Sequence, residues 1–104
     1  MQQFWEFYVT QHSKVPTRWW HFAGTASGLL LILAALASAT WWIAPIGIAL
    51  GYLLAWYSHF FIEGNTPASF GHPFWSFACD WCMFALMLSG RMDAEVRRIQ
   101  KSQQ

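Results

Sequence analysis

His59 and Glu63 stand four residues apart inside an apolar stretch, so on an α-helix they share one face, a turn from each other. An imidazole next to a carboxylate is a common beginning of a transition-metal site. His12, His21 and His72 complete the set of 4 histidines in the chain. A site rich in imidazole with a carboxylate suits iron, manganese or zinc. Glu63 serves there as a ligand, as a group that orients an imidazole N–H, or only as a helix-end charge. Asp80 interrupts a later apolar run, where a lone carboxylate must face the bundle interior, a cavity or a partner. It orients a ligand from below, or it bonds Ser76 one turn earlier. Arg18 lies three residues before His21 and pairs either with a substrate carboxylate or with a lipid headgroup. Asn65 follows a helix-stopping glycine and reads as a turn residue. Cys79 and Cys82 form a C-x-x-C within an apolar helical pattern, and they read as packing residues, not as metal ligands.

The elements that must position these groups belong in a membrane. Of 104 residues, 56% are hydrophobic and 11% charged, which is more apolar surface than a soluble domain of this size can hide. The net charge of +1 points to no nucleic acid or other polyanion. No basic segment precedes the first apolar run, so no cleaved signal peptide is expected. The pattern predicts an all-α fold: a single membrane domain over 1–104, built as a small integral membrane bundle. An interfacial amphipathic helix covers 2–13, with Phe4, Tyr8 and His12 on one face. Pro16 disfavours a helical Val15 and breaks the chain. Membrane-embedded helices follow over 18–39, 45–63 and 74–90, and 91–104 is a charged amphipathic tail on the membrane surface. From Phe22 to Ile62 there is no Asp, Glu, Lys or Arg, twice the roughly 20 residues one crossing needs. Gly24 with Gly28, and Gly47 with Gly51, each form a Gly-x-x-x-Gly that lets helix backbones approach closely in lipid.

This topology has a consequence for the histidines. His12 and His21 precede the first crossing, His59 ends the second, and His72 precedes the third helix. Two crossings return the chain to its starting side, so all four are expected at one end of the bundle. The break at Pro16 lets His12 fold back onto His21. Orientation stays open. If 74–90 spans, Lys14 and Arg18 lie opposite Arg91, Arg97, Arg98 and Lys101; if it dips in and returns, all these charges share one face.

The motifs, taken in order, resemble a known family. They are Tyr8-x-x-x-His12, Arg18-x-x-His21-x-x-Gly24, His59 with Glu63-Gly-Asn-x-Pro67, His72-Pro73-x-Trp75-Ser76 and Asp80-x-x-Met83. Together they resemble the Mpo-type membrane proteins, long grouped as a domain of unknown function. The yeast member is an ER-membrane Fe(II)-dependent dioxygenase that shortens 2-hydroxy fatty acids by one carbon. The resemblance runs from about Tyr8 to Arg91 and is to the shorter bacterial branch, which implies a bacterial inner membrane. It implies Fe2+ on His12, His21, His59 and His72, with Glu63 beside them; the residues themselves add Arg18 and Asp80 to Glu63 as catalytic candidates. It also implies molecular oxygen as oxidant and a long-chain 2-hydroxy fatty acid as substrate; the helices, rich in Trp, Phe and Leu, would take its acyl chain between them. Membrane lipid and a second copy of the chain are the further expected partners. The competing expectation is a non-enzymatic membrane protein, either a b-type haem carrier using two of the histidines or a purely structural bundle.

Overall fold

A computed structural model describes residues 2–103, and no strand occurs among them. In chain order the helices are α1 (Gln2–Thr10), α2 (Val15–Ser38), α3 (Ile43–Ser58), α4 (Pro73–Leu88) and α5 (Met92–Ser102). A wide π-turn, His59–Glu63, continues α3, and a short 3-10 turn, Ala68–Phe70, precedes α4.

Pro16 does not break α2. It sits in the first turn, where its missing N–H would have no helical partner, and Val15 is already helical. The reversal falls one step earlier, with Lys14 extended ahead of the helix. At the far end, Ala39 takes a left-handed conformation (φ 54°) and its N–H closes on the Ala35 carbonyl, which ends α2 and turns the chain into α3.

The glycine pairs join α2 to α3 as an antiparallel hairpin. A Cβ on Gly24 would lie 2.7 Å from the Gly51 carbonyl oxygen, and one on Gly28 3.0 Å from that of Gly47. Only glycine allows backbones this close. The helices Val15–Ser38 and Ile43–Glu63 are long and apolar enough to cross a membrane; Pro73–Leu88 is shorter. Trp41 and Trp42 are exposed at the tip of the hairpin.

The third apolar helix does not run to that tip. Near its start, His72 and Trp75 meet Phe4, and Ser69 just before it accepts a hydrogen bond from Trp56. At its finish, Met87 and Gly90 line a hollow with Val15, Arg18 and Trp19. Both ends of α4 therefore sit at the histidine end of the hairpin. All 6 basic residues, Arg91, Arg97, Arg98 and Lys101 included, fall on this side, because α5 folds back onto α1.

That return differs from the expected surface tail. The apolar face of α5, Met92, Val96 and Ile99, is buried together with Tyr8 and Val9 of α1 and Cys79 and Met83 of α4. Trp5 donates to Glu95 across the same contact (2.9 Å). A helix with a narrow apolar stripe reads alike in sequence whether lipid or protein covers it; here protein does.

Candidate metal centre

Three histidines meet beneath the α1–α2 reversal. His12 closes the turn after α1, its N–H donating to the Val9 carbonyl (3.0 Å). His21 lies in the second turn of α2, and His59 caps α3. Their ring centroids are 4.6 Å (His12–His21), 4.5 Å (His12–His59) and 5.6 Å (His21–His59) apart, each pair near perpendicular. One ligand nitrogen from each lies within 4.8 Å of the other two, and all three side chains are buried.

The Nδ1 atoms face outwards, each towards an oxygen. That of His12 is 2.7 Å from the Tyr8 carbonyl, and that of His59 is 2.7 Å from Asn65 Oδ1. The Nδ1 of His21 is 3.7 Å from Asp80 Oδ1, a charge contact longer than a hydrogen bond. For His12 and His59 the bonded oxygen holds the proton on Nδ1 and leaves the Nε2 lone pair for a metal. The His12 Nε2 is buried without a partner, an arrangement that costs stability unless something occupies the centre. Burial, reinforced by the neighbouring His21 and His59 rings and only partly offset by the Tyr8 carbonyl, holds the His12 pKa well below the usual imidazole range, so the ring is neutral at pH 7. The three rings line, with Tyr8, Tyr52, Trp56 and Asp80 among others, a small chamber of about 10 Å³, the space of one ion or water. Three buried imidazoles around such a space fit a divalent transition metal.

The sequence model of a family described as 2-hydroxy-palmitic acid dioxygenase Mpo1-like matches residues 1–92. The chain belongs to that family. The match covers α1 to α4 and all three buried histidines of this Mpo1-like protein, and it stops as α5 begins. No curated protein and no solved structure matches the chain.

The other expected site residues of the Mpo1-like chain fall outside the three-ring group, with one neighbour among them. His72 is exposed at the head of α4 and packs edge-on against Phe4 (5.2 Å), so it is not brought to the other three. Glu63 is turned away because the π-turn takes more residues per revolution than an α-helix, and the expected shared face with His59 is lost. Its carboxylate instead accepts from the Ser13 N–H (2.8 Å) and Oγ (2.6 Å) and from Thr17 Oγ1 (2.8 Å), fastening the α1–α2 reversal. Arg18 is also occupied: it donates to the carbonyls of His12 (2.7 Å) and Ser13 (2.9 Å) and pairs with Asp93 (3.3 Å). Asp80 is the neighbour, lying beside His21 and accepting the Tyr8 hydroxyl.

Two residues gain roles that sequence reasoning missed. Tyr8 stacks on His12 (4.2 Å between centroids) while its hydroxyl reaches Asp80. Burial above all, then the Asp80 charge, raises its pKa, so it stays a protonated donor. Its spacing of four from His12 was the available signal. Asn65 is more than a turn residue. Its amide NH2 donates to the Gln11 carbonyl (3.1 Å), which leaves Oδ1 for His59. Asn65→Leu should therefore weaken metal binding about 10- to 100-fold while the helices persist, as loss of a ligand-orienting group does elsewhere. Titration with a competing chelator measures it, and unchanged affinity would make Asn65 a turn residue after all.

Proposed function

We propose that His12, His21 and His59 hold ferrous iron and that the chain is a dioxygenase, shortening long-chain 2-hydroxy fatty acids by one carbon. The observation that carries the reading is the buried trio with an unpartnered Nε2, in a chain of the Mpo1-like family. Iron, when bound, would supply the activation of oxygen and the oxidation at C2 of the acid. The protein's part is positional. The Tyr8 carbonyl, Asn65 and Asp80 set the three rings, Tyr8 caps the centre by stacking on His12, and burial keeps bulk water out. Arg18 and Glu63 act at one remove, holding the loop that carries His12.

A haem carrier fits the geometry less well. Rings packed mutually perpendicular about a chamber of about 10 Å³ leave no slot for a flat macrocycle between two imidazoles. A purely structural bundle leaves the His12 Nε2 unexplained. In the membrane, α2 and α3 cross and α4 lies across the histidine end. With all the basic residues at that end, the positive-inside rule puts the metal centre at the cytoplasmic face of a bacterial inner membrane.

The test is turnover. Protein loaded with ferrous iron under reducing conditions, given oxygen and a long-chain 2-hydroxy acid, should release the fatty acid one carbon shorter. The same acid without its 2-hydroxyl should react poorly, since it offers the metal one group fewer. Zinc-loaded protein should give no product, because zinc has no redox chemistry. Product formed with zinc would force a redox-neutral mechanism.

A further inference from the structure

A groove of about 210 Å³ runs along the hairpin between α2, α3 and α4. It adjoins the metal chamber: His21, Tyr52, Ala55 and Asp80 line both. From there it follows one face of α2 through Gly24, Thr25, Gly28 and Leu29 to Ile32, with Ile48 opposite on α3. From His21 to Ile32 the helix rises about 16 Å. The four packing glycines also line this groove, so the close approach of the two backbones keeps its floor clear of side chains. Its polar groups gather at the His21 end, and the far end is aliphatic.

We infer that this groove is the acyl-chain subsite, and that it has a direction: the carboxyl and 2-hydroxyl end at His21, the tail along the glycines toward Ile32 and Ile48. A fatty acid has one polar end and a long apolar remainder, and the groove has the same asymmetry at the same scale. Its continuity with the metal chamber selects this occupant over a bilayer lipid, which has no reason to reach the histidines. The residues at the far end then set chain length. This inference rests on the dioxygenase reading for the identity of the acid, but its first test needs no turnover.

That test is photo-crosslinking of the full chain in lipid nanodiscs, using a long-chain 2-hydroxy acid that carries a diazirine near its ω end. Mass spectrometry should find the label on Leu29, Ile32 or Ile48, and excess unlabelled 2-hydroxy acid should displace it. This result supports the subsite whether or not product forms. Label spread over the outward-facing Leu30, Leu33 and Leu36, or indifferent to competitor, overturns it even if the enzyme turns over. Ile48→Trp gives an independent reading. Its side chain is half open, so the larger ring has room, and it should shift kcat/KM toward shorter acids by about tenfold, the worth of one or two methylenes in an apolar site. Leu33→Trp, outside the groove, should leave the chain-length ratio unchanged. An unaltered ratio in Ile48→Trp would remove that residue's part in selection and the direction of the groove with it.

Discussion

Replacing His59 with alanine should leave a helical protein that no longer retains iron. Each of the three rings offers one lone pair, and no fourth histidine stands close enough to substitute, since His72 is at the surface. Removing only an orienting partner costs about 10- to 100-fold in affinity, so removing a ligand should cost more than about 100-fold. Activity should disappear with the metal. The bundle should survive because His59 closes α3, while the close backbone contact between α2 and α3 is made by the glycines further along. Metal analysis alongside circular dichroism checks both halves. Full iron occupancy in His59→Ala would reduce His59 to a packing residue.

The second large effect is expected at Gly24, and there the fold itself should suffer. Its absent Cβ would lie 2.7 Å from the Gly51 carbonyl oxygen and 3.3 Å from Leu54 Cβ. The nearer obstacle is backbone on a packed helix, which cannot rotate aside as a flexible side chain would. Gly24→Val should therefore push α2 and α3 apart at a cost of about 3 kcal/mol, a large share of the roughly 5–15 kcal/mol that holds a typical domain. His21 lies one turn away, so metal affinity should fall as well. Gly71→Ala is the matched control: nothing lies within 4 Å of a Cβ there and φ is −108°, so its effect should stay within about 0.5 kcal/mol. Unfolding in detergent micelles, followed by circular dichroism, compares the two. Equal stability would mean that the glycine contact does not hold the hairpin.

The parts legible in the sequence are those set by counting along a regular helix. Two Gly-x-x-x-Gly motifs in successive apolar helices suggest one close contact, and the structure pairs Gly24 with Gly51 and Gly28 with Gly47. Two long apolar helices joined as a hairpin return the chain to its start, which brings His12, His21 and His59 to one end. Counting tells which end a residue occupies, not whether its ring points inwards, and His72 shows the difference. Regular spacing also failed where the helix is irregular: the π-turn at His59 removes Glu63 from the shared face and brings Asn65 beneath the imidazole. Both Gly64 and Asn65 N–H groups bond the His59 carbonyl in that turn, with Gly64 at φ 76°, a geometry that the glycine permits but does not announce. The partner of α5 was hidden for another reason. Its apolar stripe states that something covers it, and only three-dimensional packing shows that this is α1 together with α4.

On the proposed function, three histidine nitrogens, and no sulfur or haem, hold one iron per chain. X-ray absorption at the iron edge, on protein purified and reconstituted with ferrous iron, tests it most directly. The expected spectrum shows nitrogen and oxygen neighbours only, with the multiple-scattering pattern of imidazole rings, at a stoichiometry of about one iron per chain. Sulfur neighbours would move the site to Cys79 or Cys82, a Soret band would make it a haem, and protein that retains neither iron nor any other transition metal would leave His12, His21 and His59 as packing alone.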